Sequence, residues 1–233
     1  MSSKNLVLVL IGVVAAGLAA ALIAVSVTGG DDEPTAVGIH GAEATQTLLQ
    51  GIPQQGNVLG RVNAPLTIVE YADVQCPACQ AWALDTFPAI VEEYVRPGKA
   101  KIVFNGVAFL GPDSVTALQT AFAAGEQDKL WNVSELLFHN QGEENAGWVT
   151  EDLLRTIGDS VPGLDTDTML GDRDSGEVVA ALAAAQGAAQ VAGVALGPTP
   201  TFEVGRTGGS MTQLQGALPT DDFRQVLDGL LQG

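Results

Sequence analysis

The stretch LTIVEYADVQCPAC, residues 66–79, decides the fold of this chain. Its first half, residues 66–72, is β-branched and apolar on both faces, which predicts a buried central strand. The second half holds Cys76 and Cys79, the only cysteines of the chain, where a helix running to about residue 95 is predicted to begin. A central strand and a cysteine-bearing helix therefore follow one another directly.

The spacing of the two cysteines predicts thiol–disulfide exchange. If Cys76 caps the helix, its sulfur lies in the field of the unpaired amides at the helix start, which favours thiolate over thiol. Pro77 then takes the first helical position, where a missing N–H costs nothing, and the amides of Ala78 and Cys79 face the sulfur. We therefore predict Cys76 as the exposed nucleophile, Cys79 as the shielded resolving thiol, and a redox disulfide between them.

Two other roles for the cysteine pair stay open. A C-x-x-C motif supplies two of the four ligands of tetrahedral zinc, but the only histidines, His40 and His139, lie in separate segments. A purely structural disulfide would close a very short loop and so remove little chain entropy. Thiol exchange is the favoured interpretation, and no metal, nucleotide or flavin motif is visible, so we predict no bound metal or cofactor.

The amino terminus predicts a membrane anchor. Residues 6–27 carry no charge and would span about 33 Å as a helix, enough to cross a bilayer core. Lys4 precedes this run and three acids at 31–33 follow it, which places residues 1–5 in the cytoplasm and the rest of the chain outside the cell membrane. Small residues at 24–26 would also suit a signal peptidase, although the run is longer than a usual signal peptide.

Composition excludes nucleic acid as a partner class. The chain has 10 Lys and Arg against 27 Asp and Glu, a formal net charge of −17. Such a surface repels phosphate backbones. Outside the cytoplasmic membrane, a protein is beyond the glutathione and thioredoxin pools that keep thiols reduced. The anchor and the cysteine spacing therefore both support thiol exchange.

The rest of the chain divides into a linker and one domain. Residues 28–60, rich in Gly, Pro, Gln and acids, predict a linker, with a possible short helix at an apolar patch around Leu48. The domain, residues 61–233, has a second predicted strand at 101–109 that completes a parallel β-α-β unit. A helical insertion follows at about 113–194.

Strand patterns return after the insertion, at 201–204 and 211–214, where an antiparallel hairpin is predicted. A final helix is predicted at 220–231. The first helix of the domain is expected to kink at Pro88.

This order resembles the DsbA-like branch of the thioredoxin superfamily, an α/β class in which a helical domain interrupts a thioredoxin-like fold with a central mixed sheet. The resemblance covers residues 56–233 and rests on three segments: 64–79, 131–141 and 197–202. It implies that Pro200 has a cis peptide bond and faces the cysteines. It also implies that the backbone of Thr199 binds an extended substrate beside Cys76, with Pro77 and Ala78 at the same surface.

Glu70 is the fourth candidate catalytic residue. It shares a strand face with Leu66 and Ile68, where burial would raise the pKa of its carboxyl. The resemblance implies a buried acid here that assists deprotonation of Cys79. The alternative is an acid at a strand end that reaches water.

One departure from the family bears on redox strength. Strongly oxidising members have a histidine before the second cysteine, whereas this chain has Ala78, which offers the thiolate no donor. Asp73, three residues before Cys76, should also oppose thiolate formation by its charge. Both residues favour a milder oxidant.

The sequence therefore predicts a membrane-anchored, extracytoplasmic thiol:disulfide oxidoreductase that forms disulfides in reduced exported polypeptides. The resemblance implies a membrane quinone-linked thiol oxidase, DsbB-like or vitamin-K-epoxide-reductase-like, as the reoxidising partner. Two alternatives remain: an extracytoplasmic reductase that uses the same site, and a redox-inert thioredoxin-like binding module.

Overall fold

The computed structural model describes residues 38–194 and 197–232. The predicted cytoplasmic residues 1–5, the predicted transmembrane anchor at 6–27 and the first part of the predicted linker lie outside the described residues. Among the helices that are described, none has the length and apolar character needed to cross a bilayer.

A six-stranded mixed sheet forms the centre of the fold. Its spatial order is β1-β2-β4-β3-β5-β6, and only β3 and β4 run parallel to each other. The strands are β1 Gln54–Gln55, β2 Val58–Leu59, β3 Leu66–Ala72, β4 Ala100–Gly106, β5 Thr201–Arg206 and β6 Met211–Gln215.

Nine α-helices surround this sheet in the described part of the chain. They are α1 Ala42–Leu49, α2 Pro77–Asp85, α3 Phe87–Ile90, α4 Pro112–Gly125, α5 Leu130–His139, α6 Glu151–Asp159, α7 Thr166–Gly171, α8 Gly176–Val191 and α9 Thr220–Gln232, and a π-helical turn, Val91–Val95, extends α3.

The thioredoxin-like arrangement with a helical insertion is confirmed. β3 and β4 pair in parallel, and the cysteine-bearing helix connects them along the chain. β5 and β6 form the returning hairpin. Helices α4 to α8 occupy the interval between the two halves. The short helix α7 was not predicted; the side chain of Asp165 caps it by accepting a hydrogen bond from the amide of Thr168.

The kink expected near Pro88 is also present. Helix α2 ends at Thr86, whose φ of −107° departs from ideal helical geometry, and α3 begins at Phe87 with Pro88 in its first turn. A proline in the first turn lacks only an amide that would be unpaired there, so the break falls just before it.

The two faces of β3 serve different layers. Leu66 and Ile68 point into the main core, together with α2, α3, α5 and α9. Tyr71 belongs to a smaller cluster on the opposite face, with Ala189 of α8 and Val194. Because side chains alternate along a strand, Glu70 lies on the main-core face, under the helix that carries the cysteines.

The linker predicted at 28–60 ends earlier than expected. Helix α1 and strands β1 and β2 occupy residues 42–59, and β2 pairs antiparallel with β4. Leu49 and Leu59 are buried in the main core. The short helix expected near Leu48 is present as α1, whereas β1 and β2 were not predicted, because the pairing that stabilises them is not visible in local sequence.

Candidate active site

Cys76 caps helix α2, as its position before the proline predicts. Its backbone is extended (φ −75°, ψ 120°), and its carbonyl accepts the first helical hydrogen bond from the amide of Gln80 at 3.0 Å. Pro77 occupies the first helical turn and is exposed, while Ala78 is half-buried. The helix start therefore presents its free amides to the Cys76 sulfur.

The two sulfurs differ in accessibility and in proton affinity. Both cysteines are free thiols; Cys76 is 9% exposed and Cys79 is 0% exposed. Hydrogen bonding from Cys79 is the largest influence on the pKa of Cys76 and lowers it to about 6, although burial opposes this. The Thr199 side chain and the amides of Cys79 and Ala78 add to the lowering.

Cys79 has the opposite shift. Burial is the largest cause and raises the pKa of the Cys79 thiol well above the usual value. The hydrogen bond to Cys76 and the negative charge of the Cys76 thiolate raise this pKa further. The predicted asymmetry of the pair is present, with one correction: Cys76 is less exposed than expected, because the loop at Thr199 packs against it.

That loop is the second component of the site. The peptide bond between Thr199 and Pro200 is cis, as the family resemblance implied. The thiol of Cys76 donates a hydrogen bond to the carbonyl of Thr199, with 3.4 Å between sulfur and oxygen. Pro200 is buried and Thr199 is half-buried, and the hydrogen bond places the Thr199 backbone beside Cys76.

Glu70 is buried, not at a water-filled strand end. It is 1% exposed, and desolvation raises the pKa of its carboxyl to about 8. Its Oε1 has no hydrogen-bond partner among the described residues. The carboxyl is therefore able to hold or release a proton near neutral pH, although its predicted role in deprotonating Cys79 stays a prediction.

Asp73 does not act as the sequence suggested. Its buried carboxylate accepts hydrogen bonds from the amides of Gln75, Phe109 and Leu110 at 2.9–3.1 Å and from the hydroxyl of Ser114 at 2.5 Å. These donors compensate its charge, and the groups that set the pKa of Cys76 are the cysteine partner, Thr199 and the helix amides. Asp73 instead connects the strand end to the helical insertion.

Sequence reasoning missed two glutamines that hold the loop before Cys76. Gln75 is buried and bonds Ser114, Asn145 and Trp148 of the insertion. Gln141 donates to the carbonyl of Val74 at 2.7 Å and to that of Cys76 at 3.2 Å. A polar residue directly before the first cysteine was the one available signal for Gln75; nothing local distinguishes Gln141.

The sequence also gave no role to Glu135 on helix α5. It is 4% exposed, burial raises the pKa of its carboxyl well above the ordinary value, and the charge of Glu70 raises it further. An acid inside the apolar helix LWNVSELLFH was the signal that identifies it. No group of three or more His, Cys, Asp or Glu side chains converges as a metal site within 38–194 and 197–232.

The fold and site together define a thioredoxin-fold protein with a reactive dithiol at a helix start. A family model described as Thioredoxin matches residues 54–228, and the chain belongs to that family. The DsbA-like resemblance is confirmed by the curated relatives and solved structures that the chain matches.

Among the curated relatives is the probable disulfide bond formation protein D of Bacillus cereus, which is 33% identical over 123 residues, 52% of this chain and 57% of that protein. The disulfide bond formation protein D of Bacillus subtilis is 32% identical over 130 residues, covering 55% of this chain and 57% of that one. The chain thus spans little more than half the length of these relatives in the matched regions.

Solved structures extend the likeness over the whole domain. Oxidised BdbD of Bacillus subtilis superposes with a TM-score of 0.67 at 25% identity, covering 78% of this chain and 98% of that one. DsbA of Chlamydia trachomatis gives a TM-score of 0.65 at 19% identity, covering 76% and 91%, and shows the shared fold.

Proposed function

We propose that this protein is a membrane-anchored, extracytoplasmic thiol:disulfide oxidoreductase that introduces disulfides into reduced exported polypeptides. The observation that carries the proposal is the pairing of Cys76, whose pKa is lowered to about 6, with a fully buried Cys79 beside the cis proline. A stabilised Cys76 thiolate favours the reduced form of the pair, and a disulfide whose reduced form is stabilised is an oxidant.

The reaction begins with the Cys76–Cys79 disulfide. A substrate thiolate attacks the sulfur of Cys76, forming a mixed disulfide, and the Cys79 sulfur leaves and takes up a proton. A second thiolate of the substrate then attacks the substrate sulfur that is bonded to Cys76. The substrate disulfide forms, and Cys76 leaves as a thiolate. Two electrons pass from the substrate to the enzyme, which ends as the dithiol.

The groups around Cys76 suit each stage. The helix amides and the Thr199 side chain stabilise the thiolate that leaves last. The half-buried Thr199 backbone beside the sulfur offers an edge to which an extended substrate segment binds. Following the family resemblance, we assign to Glu70 the acceptance and return of the Cys79 proton.

Regeneration of the disulfide requires an external oxidant. We assign this role to a membrane quinone-linked thiol oxidase, DsbB-like or vitamin-K-epoxide-reductase-like, on the strength of the family resemblance. The uncharged segment at 6–27 supports a location beside such a partner, with the dithiol domain outside the cytoplasm.

The reduction potential of the Cys76–Cys79 pair tests the direction of electron flow. Equilibration with glutathione redox buffers should give a potential above about −230 mV, on the oxidising side of thioredoxin. A value near that of thioredoxin, about −270 mV, would support the reductase instead. Ala78 is the feature that favours this rival, because it supplies no donor to the thiolate.

Mixed-disulfide trapping tests the substrate class and the compartment together. A Cys79→Ala variant expressed in cells should accumulate mixed disulfides through Cys76 with exported polypeptides. A Cys76→Ala, Cys79→Ala protein that still supports growth under conditions requiring the wild type would identify a redox-inert binding module.

A further inference from the structure

Every cycle of the proposed reaction moves one proton at Cys79. Its sulfur takes up a proton when it leaves the disulfide and loses it when the disulfide is formed again. Cys79 is 0% exposed, so this proton does not exchange directly with bulk water. A route through the protein is required.

The proposed function assigns the Cys79 proton to Glu70. Its cross-strand neighbours are Phe104 on β4 and Phe202 on β5. The ring of Phe202 packs on Trp82 of α2 with centroids 4.6 Å apart, and the ring of Phe104 packs on Trp131 of α5 with centroids 5.8 Å apart. Glu70 is therefore held under both helices, on the face that α2 covers.

Glu135 lies one helical turn beyond Trp131, on α5. Its carboxyl is nearly as buried as that of Glu70, and the two charges interact. Because each carboxylate disfavours ionisation of the other, the pair loses its protons one at a time. Such a pair stores a proton and passes it between its two members.

A groove of about 590 Å³ connects Glu135 with the surface. Its lining includes Thr45 of α1, Ala83 of α2, and His139, which follows Glu135 by one turn on α5. Thr45 is 3% exposed, and its hydroxyl has no hydrogen-bond partner among the described residues. A buried, unpartnered hydroxyl in the same groove as the carboxyl is able to donate and to accept a hydrogen bond.

We propose that Glu135 carries the Cys79 proton between Glu70 and this groove. This inference rests on the proposed function. When the disulfide re-forms, the Cys79 sulfur attacks Cys76, the bond from Cys76 to the partner sulfur breaks, and the partner leaves as a thiolate. The Cys79 proton passes to the Glu70 carboxylate, Glu135 releases its own proton to water in the groove, and the proton on Glu70 then passes to the Glu135 carboxylate. Substrate oxidation reverses this path.

The charged groups that face this path are few. Glu70 approaches Glu135 from β3, His139 shares its helix, and Glu43 and Glu92 line the groove from α1 and the π-helical turn. Glu43 is exposed, and the side chain of Glu92 is 51% exposed and paired with Arg96. Asp73 is also buried, but four hydrogen-bond donors hold its carboxylate, so Glu70 and Glu135 are the buried carboxyls that we assign to the path.

Reaction of the reduced protein with the aromatic disulfide 5,5′-dithiobis(2-nitrobenzoate) separates the two thiol steps. Attack by Cys76 releases one coloured thiolate, and attack by Cys79 on the resulting mixed disulfide releases the second. At pH 7, Glu135→Gln should leave the first phase unchanged and slow the second at least about tenfold. Glu43→Gln is the matched control, and both of its phases should equal those of the wild type.

A second phase in Glu135→Gln within twofold of the wild type would overturn the relay while leaving the redox function intact. Absence of either phase in the wild type would instead contradict the proposed function. Glu135→Asp, which keeps a carboxyl, should recover most of the lost rate; a merely structural role predicts no such recovery.

Infrared spectroscopy of the wild type tests the relay without any variant. At pH 7 the protonated-carboxyl stretch of the buried pair should shift within seconds of transfer into deuterated water, since the groove gives access to solvent. A protonated-carboxyl band that persists unexchanged for hours would contradict the route.

Discussion

The difference in unfolding free energy between the Glu70→Gln variant and the wild type should shift in favour of the variant as the pH rises from 5 to 8. Burial raises the pKa of this carboxyl from 4.5 to about 8 in the folded protein. Between those values the folded state keeps a proton that the unfolded chain has released. The stabilisation from this proton is complete below pH 4.5 and is lost as the pH rises through 8.

The size of the effect follows from the same two values. Each pH unit in this window corresponds to about 1.4 kcal/mol, so the wild type loses up to about 5 kcal/mol that the neutral glutamine does not. The buried amide of the glutamine, if unpaired, costs about 1–3 kcal/mol. That cost is the same at every pH, so the slope with pH is the diagnostic quantity.

Urea unfolding at half-unit steps from pH 5 to pH 8, with both proteins fully reduced, measures this slope. The cysteines contribute equally to both proteins and cancel in the difference. Glu43→Gln, at an exposed position, should give a curve parallel to that of the wild type. If the Glu70→Gln curve also ran parallel to it within about 1 kcal/mol, burial would not be raising the pKa of Glu70.

The remaining predictions concern the dithiol and its supports. Cys79→Ala should raise the pKa of Cys76 from about 6 toward its ordinary value, because the hydrogen bond from Cys79 lowers that pKa most. Thiolate ultraviolet absorbance recorded against pH measures the pKa of Cys76. An unchanged midpoint would show that Cys79 does not lower it. Gln141→Ala should cost about 1–3 kcal/mol in urea unfolding, because two carbonyls lose their donor, whereas Gln213→Ala, at an exposed bond, should cost under about 0.5 kcal/mol. Gly106→Ala should lower the unfolding free energy by about 1–3 kcal/mol, because its Cβ would clash with a leucine of α4; an unchanged midpoint would contradict that packing.

Local chemistry was enough to predict the elements nearest the cysteines. Strand β3 has the bounds its apolar run predicts, and α2 begins at Pro77 because a proline suits a helix start. The final helix and the returning hairpin were also found from their own patterns. The cis bond at Pro200 came from family resemblance, since spacing alone does not set a peptide isomer.

Elements that depend on distant packing were misjudged. Residues 54–59 have a linker-like composition, yet β2 pairs with β4 and contributes to the main core. Asp73 was expected to act on Cys76 by its charge. Its carboxylate instead finds four donors, among them an amide and a hydroxyl 36 and 41 residues further along the chain.

The amino-acid sequence by itself determined which atoms react: two thiols, their spacing, and a helix start between a buried strand and a proline. Only the tertiary structure decided how their protons are controlled. It brought Gln141 to a carbonyl 65 residues away and buried Glu135 in surroundings that disfavour its charged form. Nucleophile identity is a local property, whereas desolvation and long-range hydrogen bonds exist only once separate segments have packed together.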